Sequence, residues 1–572
     1  MPRTGGTFSR GAWRARYGGR GAVILVAGMF TALSTAAQTP PVALPSQVAP
    51  GRPPDRPAAA SAPVPLADFD FQIQAPAGGG GAQDGFPIRI VDVRLEGGHP
   101  TILVEDLIAP LRGQTLPSGA LSELAEKIEE RHRAAGFVLT RVFLPPQTVA
   151  DGRYTLRVLQ GYVGRVGATG GSAFQREIVT GLAAPVTAER PVTIGRLERA
   201  LLLAGDLPGL TASGLLRPGT EAGESELAIS LVRRPWQGGF SLNNRGSRFA
   251  GPWTQALELA FNDQAGLGEQ IGVTLSGTPN FRETRSLGLR WTQPTPWDGL
   301  NFGAEVAIGQ GEPGQALRQF GTRTDSHRVA IKASYPILRS RADTWSVEGG
   351  IATSRASTRL LGQSFSRDDL RSLELKTMWL NSGFLDGVTL GVVGLTQGLD
   401  LWSATNKAAP LSTRTTAQPN FAKLNLGLRR VQTLFADLTL SVDAQAQIGF
   451  GPQFASEQFG LGGSRLGRGY EPSELTGDSG AGAATELRWF ESFDDDWIKA
   501  IQPYAFFDAG RVWTRGAAAG RGGRSLTSAG AGVRAFFVHD VSVTMEVARG
   551  FVVGPVNGER PTKFYLEMAI PF

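Results

Sequence analysis

Cysteine is absent from the 572 residues, so disulfides, thiolate nucleophiles and thiolate metal sites are all excluded. Histidine is scarce: His99, His132, His327 and His539 fall in separate segments, and their spacing matches no metal-ligand motif. The expectation is therefore no metal and no cofactor. No G-x-x-x-x-G-K-[ST] occurs, which removes nucleotide hydrolysis by a phosphate loop. Gly477-Asp478-Ser479-Gly480-Ala481 ends on alanine where a serine-hydrolase elbow needs glycine. With no catalytic residue to nominate, the chain is not expected to be an enzyme. Beyond the amino terminus no stretch offers about 18 consecutive apolar residues, so a spanning helix is excluded and a membrane could be crossed only as a closed barrel.

An excess of positive charge is also missing once the first residues are set aside. Arg3, Arg10, Arg14, Arg16 and Arg20 precede the apolar run Gly21 to Leu33 and the small residues Ser34-Thr35-Ala36-Ala37, the pattern of a signal peptide over 1–37. Its removal takes five of the 57 Lys+Arg and none of the 51 Asp+Glu, lowering the net charge from +6 to +1. The basic character is thus mostly presequence and does not point to nucleic acid.

Residues 38–85 are rich in proline, alanine and glycine and show no helical or strand period, which reads as a linker. From Phe86 apolar periodicity begins. Ile88 to Leu95 reads as a strand, Thr101 to Leu111 and Ser118 to Ala135 as helices, and Val138 to Leu144 and Tyr154 to Leu159 as strands around the turn Asp151-Gly152. Ser118 is the expected N-cap, and Leu121, Leu124 and Ile128 form the stripe that packs the core. The order recurs more weakly over 162–235, which gives two small α+β domains, 86–161 and 162–235.

After Arg233-Arg234-Pro235 the helices stop, and about sixteen strands run from 237–246 to 563–572. The last places Phe564, Leu566, Met568, Ile570 and Phe572 on one side and Tyr565, Glu567, Ala569 and Pro571 on the other. Lipid outside and a polar lumen inside demand that alternation. The fold class expected is an all-β transmembrane barrel over 236–572. The linker at His539-Asp540 is very short and the gap 451–480 is long, as turns and outer loops of such barrels differ. That gap follows the eleventh strand and is the sixth outer loop.

Several motifs resemble the transporter subunits of two-partner secretion, the TpsB (ShlB/FhaC/HecB) family. Gly136-Phe137-Val138-Leu139-Thr140-Arg141-Val142-Phe143-Leu144-Pro145-Pro146-Gln147 is similar to the first POTRA domain of that family. Phe240-Ser241-Leu242-Asn243-Asn244-Arg245-Gly246 resembles its first barrel strand. The sharpest likeness is Leu461-Gly462-Gly463-Ser464-Arg465-Leu466-Gly467-Arg468-Gly469-Tyr470 with Tyr504-Ala505-Phe506-Phe507-Asp508-Ala509-Gly510. The resemblance implies that loop 451–480 folds into the lumen, where Arg468, Gly469 and Tyr470 form its motif and Asp508 is the partner on strand thirteen. Gly467 departs from the usual valine, and residues 38–85, the possible plug region because known relatives carry a plug helix ahead of the barrel, show no convincing helix, which leaves a plug open. On sequence alone Arg468 reads as a solvated loop arginine, and the matching Asp508 reverses that reading. An isolated pair of this kind would be restored in part by exchanging the two residues.

The resemblance further implies two POTRA domains in the periplasm, a barrel in the bacterial outer membrane, and secretion of an unfolded TpsA-type exoprotein. Outer-membrane lipid, lipopolysaccharide and the barrel-assembly machinery are the other expected partners. Capture is expected by β-augmentation, with Val138, Thr140, Val142 and Leu144 as the candidate client-binding edge. A barrel-assembly factor would be expected to carry more than two such modules, and a passive porin or receptor would need none.

Overall fold

The computed structural model describes residues 72–73, 86–149, 151–515, 523–554, 558 and 560–572. The expected signal peptide, 1–37, lies outside them, as does the expected linker, 38–85, except for Gln72–Ile73. Those two residues form a short strand parallel to Leu215–Leu216, at the edge of the second domain's sheet.

The first domain has a three-stranded sheet in the order Asp92–Gly97, Arg153–Leu159, Arg141–Phe143, and a side pair of Pro87–Arg89 with Thr115–Pro117. The helix Gly119–Ala134 buries Leu121, Leu124 and Ile128 against Ile90, Val93 and Leu156, the face its period predicts. Ser118 is not its side-chain cap. Its backbone is already helical (φ −59°, ψ −24°), whereas a cap must be extended for its hydroxyl to reach back. The preceding helix shrinks to Glu105–Ile108 followed by one tight turn, Ala109–Leu111, because Pro110 cannot continue the ladder.

The second domain has sheet strands Tyr162–Gly170, Leu210–Pro218 and Glu224–Arg233, with the last in the middle, and helices Ala173–Ala188 and Ile194–Gly205. Ser172 and Gln175 form a capping box at the first helix. Leu197, Leu201 and Ile178 are buried in its core, which also takes in Val138 and Leu139 from the first domain.

Sixteen antiparallel strands then close a barrel: Trp236–Asn243, Thr254–Asn262, Gln270–Gly277, Arg285–Pro294, Asn301–Gly311, Arg323–Arg339, Asp343–Leu360, Gln363–Ser382, Gly387–Gly398, Ala422–Phe435, Leu438–Gly449, Ser479–Trp489 (resuming at Glu491–Ser492), Ile498–Trp513, Arg524–Phe537, Ser542–Gly550 and Thr562–Pro571. Strand 1 pairs with strand 16 from Gly239–Pro571 to Asn243–Glu567. Outward positions such as Leu275, Leu289, Ile331, Ile351, Leu373 and Leu428 are large, apolar and exposed, as lipid contact requires.

The second domain is fastened to one end of the barrel. Arg199 on its second helix meets Asp298 at 3.0 Å in the turn after strand 4, and Asp298 also accepts from Tyr335 at 2.6 Å. Asp206 pairs with Arg339 at 2.7 Å, and Glu198 accepts from the Arg341 backbone N–H at 2.6 Å. Burial alone would raise the Asp298 pKa, but the Arg199 and Tyr335 hydrogen bonds override it and hold the carboxyl below its ordinary value.

Candidate functional site

Residues 451–478 leave strand 11 and turn back between the walls. Phe459–Leu461 pairs with Leu475–Gly477 as a small hairpin, and nearly the whole tip beyond it is buried. Gly467 stands at φ +83°, a left-handed conformation that a valine would strain. That turn aims Arg468 at the wall. Its Nη2 and Nε meet Asp508 at 2.8 and 3.1 Å, and its backbone N–H donates to the same carboxylate at 2.9 Å. Both side chains are buried, Arg468 at 7% exposure and Asp508 at 0%.

Asp508 is not the sole partner. Arg468 Nη1 lies 2.8 Å from Glu486 on strand 12 and 3.4 Å from Glu546 on strand 15. Glu546 also binds Arg245 at 3.0 Å and accepts from the Tyr504 hydroxyl at 2.8 Å, while Glu486 binds Arg488 at 2.5 Å and Arg534 at 2.7 Å. Glu567 completes the network through Arg245 at 3.2 Å. Four arginines and four carboxylates thus share one inner wall, which is how buried charge is made tolerable. The Phe506 ring lies 3.5 Å below the Arg468 guanidinium, adding a cation–π contact. Tyr504, Phe506 and Asp508 all face inward and Phe507 faces lipid, so the aromatic pair on the inner side belongs to the charge network.

The rest of the motif supports the same approach. At Gly469 a Cβ would sit 2.5 Å from the Gly550 nitrogen and 2.7 Å from the Arg549 carbonyl carbon, so only glycine lets the loop lie against strand 15. Tyr470, fully buried, lies with its hydroxyl between the Thr527 and Val552 carbonyls and accepts the Val552 N–H at 2.8 Å. Tyr565 donates to the Arg468 carbonyl at 2.8 Å.

Glu486 and Glu546 were not nominated from sequence. The signal was present in the alternation: Met545 and Val547 face lipid, so Glu546 between them must point inward, and an isolated carboxylate there needs a cation.

The candidate client-binding edge is rearranged. Val138 and Thr140 precede the strand, in a turn closed by Thr140 N–H to the Phe137 carbonyl at 3.2 Å; Val138 packs on the second domain and Thr140 is buried. Val142 points into the core, and its N–H already bonds Glu129 at 3.3 Å. Leu144 lies beyond the strand, which Pro145 and Pro146 end by removing donors. Phe143 and Leu144 are the exposed apolar residues of this edge.

The sequence profile of the haemolysin secretion/activation protein family ShlB/FhaC/HecB matches residues 223–535, and that of the ShlB-type POTRA domain matches 86–161. The chain belongs to the ShlB/FhaC/HecB family. It is accordingly an outer-membrane transporter of two-partner secretion, with its POTRA region in the periplasm. It is similar to the heme/hemopexin transporter protein HuxB of Haemophilus influenzae, at 20% identity over 85% of this chain and 87% of HuxB. Similarity to the hemolysin transporter protein HpmB of Proteus mirabilis is 24% identity, covering 82% of this chain and 84% of HpmB. The fold matches that of CdiB from Escherichia coli with a TM-score of 0.68 at 18% identity, over 87% of this chain and 93% of CdiB.

Proposed function

We propose that this ShlB/FhaC/HecB transporter passes an unfolded exported polypeptide between its sixth loop and the opposite wall of the barrel. The observation that carries this reading is the Arg468 network, which pins the loop tip to strands 12, 13 and 15. Across the lumen, Arg290, Lys332, Glu348 and Lys376 line a cavity of about 210 Å³ that the loop leaves open. Arg468 and Asp508 are the anchor, Gly469 permits the approach, and Tyr470 fixes the tip to the loop-side ends of strands 14 and 15. The client is a TpsA-type exoprotein, and its folding outside the cell supplies direction.

The POTRA modules make the first contact, through Phe143 and Leu144 and the short edge Arg141–Phe143 once Glu129 releases Val142. The barrel itself is inserted by the barrel-assembly machinery into a leaflet of lipopolysaccharide. Deleting residues 86–235 is expected to leave a barrel in the membrane and abolish export, since the modules have separate cores. Continued export of the cognate client by that barrel would overturn the capture role.

A further inference from the structure

The outward face of strands 6 to 8 changes character abruptly above the lipid-facing row. Trp345 and Trp379 stand opposite each other near the end that holds the POTRA domain, and Ile331, Ile351 and Leu373 follow in one row. Ten residues along strand 7 from Trp345 comes Arg355, about 25 Å higher for a strand tilted about 40° at about 3.3 Å per residue. That is the height of the apolar band, so Arg355 emerges where the outer headgroups lie.

Around it the outward positions are Arg323 and His327 on strand 6, Arg359 on strand 7, and Arg367 and Arg371 on strand 8. Only Asp325 and Asp369 oppose these five arginines on the same face. Asp369, 11% exposed, is shared by Arg355 and Arg367, which stay about half exposed. Arg323 reaches Glu312 at 2.7 Å on the neighbouring loop. Arg359 stands directly opposite Arg323, and among the described residues its guanidinium has no partner. Directly opposed like charges destabilise a sheet; Glu312 offsets the charge of Arg323 and leaves that of Arg359, so an anion seated at Arg359 would remove the repulsion that remains. On strands 13 and 15 the corresponding outward positions hold one arginine each, Arg511 and Arg549.

We propose that this face is a docking site for the phosphates of a phosphorylated outer-leaflet glycolipid, lipopolysaccharide of the lipid A type. The lipid's acyl chains would lie along Ile331, Ile351 and Leu373 while its phosphates sit between Arg323, Arg355 and Arg359. Planar guanidinium forks suit phosphate, and the two halves of the site are set at the spacing of one amphiphile. The inference rests on the outward orientation of the long loops and goes beyond the transport reading, since no lumen residue takes part.

The test uses the purified full-length protein in detergent, titrated with lipid A carrying its phosphates, with dephosphorylated lipid A, and with inorganic pyrophosphate. The wild-type protein should bind the phosphorylated lipid at least about thirtyfold more tightly than the dephosphorylated one, the effect of two arginines at a membrane surface, and pyrophosphate should not compete at comparable concentration. Arg323→Gln with Arg359→Gln should lose about the same factor while keeping heat-modifiable migration and client secretion. Equal binding of the two lipids by the wild type would overturn the proposal even if the variant failed to fold. Equal binding of phosphorylated lipid by wild type and a folded variant would do so too, and tight pyrophosphate binding would reassign the site to a free anion.

Discussion

Two clusters of arginines lie on the two faces of one barrel wall system and obey different rules. Inside, Arg245, Arg468, Arg488 and Arg534 are matched by Glu486, Asp508, Glu546 and Glu567, all in contact and nearly all buried. Outside, on strands 6 to 8, five arginines meet two aspartates and, from the neighbouring loop, Glu312, and remain in reach of solvent or headgroups. The difference is one of dielectric. A buried guanidinium left unmatched costs several kcal/mol, so the inner set is balanced within the chain, whereas a surface excess is cheap and free to meet a partner from outside.

The largest break in that contrast is Arg468→Ala, which strands the buried Asp508 without its arginine and strips one cation each from Glu486 and Glu546. A loss of about 3–5 kcal/mol in barrel stability is expected, with secretion falling in parallel and heat-modifiable migration weakened. Exchanging Arg468→Asp with Asp508→Arg should be nearly as damaging. Treated as an isolated pair, the two would recover in part, but Glu486 and Glu546 would repel the new carboxylate at 468. Substantial recovery of secretion by the exchange would show that those two glutamates do not contribute. Gly469→Ala comes next, because its methyl would meet strand 15 backbone, and about 1–3 kcal/mol of overpacking is expected with intact charges. Limited proteolysis of the loop on intact cells should read the displacement.

The smallest effect lies at the periplasmic end. Arg199→Ala should loosen the second POTRA domain by no more than about 1 kcal/mol, more visibly at low salt, since Asp298 is partly exposed. The Asp298 carboxyl is held below its ordinary 3.8, so its pairing contributes above that pH and is lost as pH falls below it. Domain mobility measured by spin labels should therefore be unchanged near neutrality and rise only in acid.

Much of the architecture was legible because its signals are local and periodic. Ile271, Val273 and Leu275 alternate with small or polar residues, Asp151-Gly152 turns with both residues at positive φ, and the glycine-flanked Arg468 announces a backbone pressed against a wall. The rest depends on distance. Glu486, Glu546 and Tyr565 reach Arg468 only through closure of strands 12 to 16, and no sequence spacing records that meeting. The edge at Val138 to Leu144 misled for a local reason: four apolar or β-branched residues at period two look like a strand, yet Val138 is claimed by the neighbouring domain's core. Ser118 likewise has the right chemistry for a cap and the wrong backbone.

The central claim is that Arg468 and Asp508 hold the sixth loop to the inner wall. A double-mutant cycle on Arg468→Ala and Asp508→Ala, read as urea unfolding of the purified barrel beside client secretion, tests it most directly. The pairing predicts that the double variant loses less than the sum of the singles by at least about 1 kcal/mol, with secretion showing the same shortfall. Strictly additive losses would mean that the two side chains do not meet in the working transporter.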